Sequence, residues 1–155
     1  EAAALLALAK GGSYLGKFKS TDFGLKVDLM GGEHSRYGNG YINFDLKAKS
    51  GIKSDISNFK NHFGNNTISE MIVDNPQTPF LENVSGAIQS GGTITIRGGM
   101  SNRNVNSLFN GNAAGLDAFE VISKKEKVNN PGYKQNDGST PVGGEINEII
   151  LRKKP

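Results

Sequence analysis

The sequence predicts an all-β fold: a single eight-stranded antiparallel up-and-down β-barrel preceded by a short N-terminal helix. Three observations lead there. The stretch Gly40–Phe59, GYINFDLKAKSGIKSDISNF, alternates with period two, setting Ile42, Phe44 and Leu46 on one side of an extended strand and Asn43, Asp45 and Lys47 on the other. Ser50-Gly51 reads as the turn of a hairpin, with Ile52 to Phe59 as its second arm. Glycine is abundant, 21 of 155 residues, and glycine or asparagine falls at nearly every gap between β-compatible runs.

The elements follow in order. Glu1–Lys10, EAAALLALAK, is rich in Ala and Leu and stops at Gly11-Gly12, which predicts a short helix and linker over residues 1–12. The segment begins with Glu1 and has no basic stretch before its apolar run, so it reads poorly as a signal peptide, and it is too short to span a bilayer. The barrel domain then occupies residues 13–155. Its expected strands are Ser13–Lys19, Gly40–Lys49, Ile52–Asn58, Thr67–Val73, Asn83–Ser90, Thr93–Gly98, Ala114–Ser123 and Glu145–Arg152. Turns are expected at Gly64-Asn65-Asn66, Gly91-Gly92 and Asn110-Gly111-Asn112. Phe23–Asn39 reads as a loop in which Leu25, Val27 and Leu29 alternate like a short extra strand, and Ser123–Glu145 as the longest loop. Closure into a barrel removes the sheet edges, with an open β-sandwich as the competing arrangement.

Composition limits the chemistry. A chain of 155 residues fits one domain with a sizeable core. Eighteen basic and fifteen acidic residues leave a net charge of +3, and no Lys/Arg cluster resembles a nucleic-acid groove; the densest basic run, Leu151–Pro155, reads as the solvated end of a last strand. The absence of cysteine excludes disulfides, thiolate metal sites and a cysteine nucleophile.

The apparent motifs are weak. Gly11–Lys17, GGSYLGK, has the glycines and lysine of a phosphate-binding loop, but Phe18 stands where the Ser/Thr magnesium ligand belongs. Asn102–Asn112, NRNVNSLFNGN, lacks the carboxylates of a calcium loop and reads as turn-forming asparagines. No GxSxG elbow occurs, and nothing in the sequence sets two of Asp28, Glu33, Asp55 and Glu70 at an acid/base separation, so no enzymatic activity is expected. His34, beside Tyr37 in a glycine-rich loop, and His62, flanked by Phe59 and Phe63, are the candidate ligand-binding side chains. Exposed loop histidines are the commoner reading; the sharper one is a haem site using His34 or His62 as axial ligand with Tyr37 nearby.

Three passages carry a family resemblance: GYINFDLKAKSGIKSDISNF, ENVSGAIQSGGTITIRGGMSN and SLFNGNAAGLDAFEVIS, the last with Phe109, Gly111, Ala114 and Gly115, followed by the closing EINEIILRKK. From about residue 13 to 153 the chain resembles the barrel of the transferrin-binding protein B and factor H binding protein superfamily, surface or secreted proteins of Gram-negative bacteria that include haem-scavenging hemophilins. That resemblance implies a non-catalytic binding protein at the cell surface or outside the cell, whose barrel loops recognise a host protein or haem in host interaction or iron acquisition. A haem carrier and a lipocalin-like barrel for a hydrophobic ligand are the alternatives. Members commonly carry an N-terminal handle domain and a lipidated cysteine, neither of which this sequence contains.

Overall fold

The computed structural model describes residues 16–19, 21–38, 40–129 and 144–155. Seven strands form one open mixed sheet. They are β1 Leu25–Leu29, β2 Ile42–Asp45, β3 Ile52–Lys53, β4 Ile68–Asp74, β5 Ile88–Gly99, β6 Phe119–Asn129 and β7 Glu145–Lys153. Their order across the sheet is β3-β2-β1-β4-β5-β7-β6. The first five lie parallel, while β7 runs antiparallel between β5 and β6. Three short helices connect them: α1 Phe59–His62, α2 Leu81–Val84 and α3 Arg103–Phe109.

The expected eight-stranded antiparallel barrel is therefore overturned: the sheet is open, mostly parallel and joined to helices. Much of the strand content lies where the sequence puts it, in β2, β4, β7 and the second half of β5. Pairing is what differs. The 40–59 stretch is no hairpin, because Phe44 pairs with Ile52 and Asp45 with Lys53 in parallel. The chain turns back through residues 46–51, drawn toward the segment after β1 by Lys49 and Ser50 N–H groups donating to the Glu33 carbonyl at 2.8 and 3.2 Å. Gly51 makes this return possible: its φ is +88°, and a Cβ there would overlap the Asn43 carbonyl oxygen.

The other misread segments have similar local causes. Leu25–Leu29, expected as a short extra strand inside a loop, is β1, an interior strand between β2 and β4. Asn83–Ser90 is mostly helical, with α2 and a 3₁₀ turn at Ser85–Ala87 before β5 begins. Gly91-Gly92 is not a turn; β5 runs through it as an irregularity where the register against β4 shifts between Ile68 and Glu70. Asn102 caps α3, its side chain accepting from the N–H groups of Asn104 and Val105, which turns the supposed asparagine loop into a helix. Ser123–Glu145 begins as part of β6, and residues 130–143 lie outside the described residues, as do the whole of residues 1–12, where a helix and linker are expected, and most of the phosphate-loop-like segment.

The strands' period of two separates their faces. Val27, Leu29, Phe44, Met71, Val73, Ile94, Ile96, Ile149 and Leu151 are buried in one cluster with Phe59 of α1, Leu81 and Val84 of α2, and Val105 and Leu108 of α3. Phe59 and Phe63 stack at 4.7 Å between ring centroids, and Phe44 meets Phe59 edge-on at 5.0 Å. The opposite face is more polar and carries Asp28, Asp74, Arg97 and Glu148 beside the buried Ile72. Such a division leaves the carboxyl ends of the parallel strands as the place where loops of both kinds meet.

Candidate functional site

From β1 the chain goes to β2 and β3 on one side, and from β4 to β5 on the other. The sense of winding reverses between β1 and β4, so the connections leaving their carboxyl ends diverge. In open α/β sheets this is where a crevice opens and ligands bind. A cleft of about 550 Å³ lies there, lined from β1 by Leu29, Met30, Gly32 and Glu33, from β2 by Phe44–Lys47, from β3 by Ser54–Ile56, and from β4 by Asn75, Gln77 and Thr78.

The wall after β1 is built on two glycines. Met30 extends the β1–β2 pairing by donating its N–H to the Phe44 carbonyl at 2.7 Å, then turns left-handed at φ 59°. Gly31 follows where no side chain fits, since a Cβ would run into the Asn43 amide and stand 2.5 Å from Asp28 Oδ2. Gly32 has φ +85° and open space beside it. Its N–H donates to Asp45 Oδ2 at 3.1 Å, which joins the glycine turn to the end of β2. Asp45 Oδ1 accepts from Lys47 N–H at 2.7 Å. Beneath the turn, Asn43 donates through Nδ2 to the Gly32 carbonyl at 2.8 Å and to the Ser50 carbonyl at 3.3 Å.

Three carboxylates, Glu33, Asp45 and Asp55, line the cleft against one lysine, Lys47. Asp55 accepts from Ser57 N–H at 2.8 Å, which caps the following 3₁₀ turn and lowers its pKa. Leu46 lines the same cleft with 60% of its surface exposed. With Ile56 it provides an apolar surface between acidic groups. The combination suits a ligand with a flat apolar part and net positive charge.

A second acidic group lies behind the cleft on the polar face. Asp28 is 1% exposed, and burial pushes its pKa up to about 6, aided by the charge of Asp74 and opposed by hydrogen bonds from Ser35 and the Arg36 N–H. Burial likewise raises Asp74, against the Tyr37 hydroxyl and the charge of Arg97. Tyr37 donates its hydroxyl hydrogen to Asp74 Oδ2 and accepts from Arg97 at 3.3 Å. Arg97 also donates through Nε to Glu148 at 2.9 Å.

The structure does not assemble His34, Tyr37 and His62 into one pocket. His34 is exposed after β1, its Nδ1 2.8 Å from Ser50 Oγ. Tyr37 is engaged with Asp74. His62 closes α1, half-buried, with its ring edge-on to Phe44 and its pKa lowered by burial. Sequence reasoning missed Gly31, Gly32, Asp45 and Leu46, and weighed Glu33 and Asp55 only as members of an acid/base pair. A signal was present: Val27-Asp28-Leu29 runs into Gly31-Gly32, and an acidic residue stands 13 positions beyond Gly32 at the end of the next strand. A strand, a glycine turn and an acid after the following strand form the arrangement by which α/β sheets hold nucleosides.

No family model and no curated protein matches the sequence. Solved structures do match. An rRNA methylase from Streptococcus thermophilus aligns at TM-score 0.55 with 12% identity, covering 96% of this chain and 92% of that one. An S-adenosyl-L-methionine-dependent methyltransferase from Methanococcus maripaludis, described as putative, gives 0.55 with 13% identity and coverages of 85% and 78%. A TehB-like SAM-dependent methyltransferase from Corynebacterium glutamicum gives 0.53 with 17% identity, 85% and 82%. The likeness is one of fold. At these identities it establishes the α/β sheet architecture of those proteins and removes the transferrin-binding protein B and factor H binding protein resemblance. The expected non-catalytic surface barrel and the lipocalin-like alternative lose their basis with it, since each depended on a barrel that the chain does not form, and haem, the cofactor that the resemblance implied, goes with them.

Proposed function

We propose that this chain is an S-adenosylmethionine-dependent methyltransferase whose cofactor lies in the cleft at the carboxyl ends of β1–β4. One observation carries the reading: the Gly31-Gly32 turn and the Asp45 carboxylate, from successive strands, are hydrogen-bonded to each other at the topological switch point. The methyltransferase neighbours support it through the shared fold.

The residues present fit that cofactor. A side chain at Gly31 would fill the turn, so the glycine preserves close approach of backbone to ligand. Asp45 uses one interaction on each oxygen, which leaves acceptor capacity for the two hydroxyls of a ribose. Leu46 and Ile56 supply apolar surface for the purine, and Asp55 an acceptor for its exocyclic amine. Glu33 favours the cationic end. When bound, the cofactor supplies an electrophilic methyl on a sulfonium, which an acceptor's lone pair takes as the carbon–sulfur electron pair returns to sulfur. Asn75, Gln77 and Thr78, on the β4 side, form the wall left to the acceptor.

Calorimetric titration with S-adenosylmethionine tests this. Saturable one-to-one binding is expected, weakened about tenfold or more in Asp45→Ala, because hydrogen bonds to a charged group are worth about 1.5–3 kcal/mol. No binding to the intact chain, or undiminished binding in Asp45→Ala, overturns the assignment.

A further inference from the structure

At a topological switch point the backbone itself separates the two walls of the crevice. The segment after β1 turns toward β2, and the segment after β4 turns toward β5, so no connection spans the seam at its carboxyl end. Backbone pairing joins β1 to β4 only as far as Leu29 and Val73, and beyond that point, where the two segments diverge, side chains tie the walls together. Tyr37 belongs to the segment that begins with the glycine turn; Asp74 ends β4, immediately before left-handed Asn75 (φ 53°) and the Gln77-Thr78 wall. The Tyr37 hydroxyl donates to Asp74 Oδ2 across this seam.

The contact is braced on both sides. On the β1 side, Arg36 N–H donates to Asp28 Oδ2 at 3.3 Å and Gly32 N–H to Asp45, fixing the segment next to Tyr37 and at its start. On the β4 side, Asn75 N–H donates to the Arg97 carbonyl at 2.8 Å, and Asn102 donates to Asn75 Oδ1 at 3.0 Å and to the Pro76 carbonyl at 3.1 Å. Arg97 closes the arrangement: it donates to the Tyr37 oxygen, lies 3.8 Å from Asp74 Oδ1 and is held by Glu148. Each wall is thus tied to its own strands by hydrogen bonds of backbone and side chains, with Tyr37, bonded to Asp74 and Arg97, joining the two.

We propose that Tyr37 is a positioning residue that, through Asp74, holds the glycine-turn wall and the Asn75–Thr78 wall of the cleft at a fixed spacing. Its consequence for catalysis rests on the methyltransferase reading; its structural content does not. For that reaction the spacing sets the approach of the acceptor to the methyl group, where small misplacements are costly.

Two measurements test it. The first is amide hydrogen exchange without cofactor, comparing the intact chain with Tyr37→Phe and Asp74→Asn. Both variants are expected to exchange about tenfold faster or more over residues 31–38 and over 75–78 together, the scale set by a hydrogen bond to a charged group. Acceleration confined to one wall, or to neither, overturns the proposal. The second is the affinity for S-adenosylhomocysteine as a function of pH. The groups facing Asp74 are Tyr37, Arg36, Arg97, Glu148 and Asp28. Tyr37 lowers the pKa of Asp74, so Tyr37→Phe moves the acid limb to higher pH, and Asp74→Asn removes that contribution. Equal weakening at every pH, as from simple loosening, contradicts the assignment. Absence of nucleoside binding to the intact chain defeats the methyltransferase reading instead, and the exchange result then decides the positioning proposal alone.

Discussion

Replacing the buried carboxylate Asp28 by asparagine has consequences that the structure makes quantitative. Burial raises the Asp28 pKa from 3.8 to about 6. A folded-state pKa above the unfolded value means that the native state binds the proton more tightly. The resulting stability is fully present below about pH 4 and is lost as pH rises through about 6. The shift of roughly two units corresponds to about 3 kcal/mol of penalty for holding the charged form at pH 7.5. Asp28→Asn keeps an oxygen for the Arg36 N–H and removes the charge. It also brings a donor near Asn43 Oδ1, a buried acceptor without a hydrogen-bond partner among the described residues. Thermal unfolding should therefore show the variant more stable than the parent at pH 7.5 by up to about 3 kcal/mol, roughly 6–12 °C in Tm for a chain of this size. The gain should vanish at pH 4. On the proposed function the same variant should bind S-adenosylmethionine more weakly, because the removed charge lies beneath the turn proposed to receive the cationic cofactor; a buried charge kept at a cost to stability is the expected mark of a functional group. A variant that is less stable at pH 7.5, with a pH profile parallel to the parent's, refutes the reasoning.

Other substitutions test separate parts of the account. Gly31→Ala sets a methyl against the Asn43 and Asp28 side chains and should cost about 1–3 kcal/mol by denaturant unfolding, the range for overpacking. Gly51→Ala should cost more in the same assay, because the opposing group is the Asn43 backbone and φ is +88°; an equal or smaller loss would mean that the crossing into β3 is looser than described. Leu46→Ala removes an exposed side chain and should change stability by under about 0.5 kcal/mol while weakening S-adenosylmethionine binding measurably in calorimetry; unchanged binding removes Leu46 from the purine surface.

How far the fold was legible depends on which interactions set each element. β4 and β7 were placed closely because continuous apolar or alternating runs such as Ile68–Asp74 specify a strand wherever its partners lie. Strand direction was not legible. Alternation in Gly40–Phe59 is the same for a parallel or an antiparallel neighbour, and the choice was made by distant hydrogen bonds from Lys49 and Ser50 to Glu33. Glycine misled in the same way: Gly51 and Gly91-Gly92 read as hairpin turns, yet one permits a close backbone crossing and the others an irregular strand. The alternation of Leu25, Val27 and Leu29 marks β1 as a short strand, but five residues do not reveal that it is an interior strand of the sheet rather than part of a loop. That ambiguity also concealed the cleft, since Gly31-Gly32 has meaning only after a strand. His34, Tyr37 and His62 stand out for their chemistry, but they lie apart: Tyr37 bonds to Asp74, His34 to Ser50 beneath the glycine turn, and His62 packs on Phe44.

Photolabelling with S-adenosyl-L-[methyl-³H]methionine, followed by peptide mapping, tests the central claim most directly. Label is expected on peptides containing residues 28–33, 45–47 or 54–56, suppressed by excess S-adenosylhomocysteine and reduced in Asp45→Ala. Absence of label, or label that maps to β6 and β7 and resists competition, contradicts it.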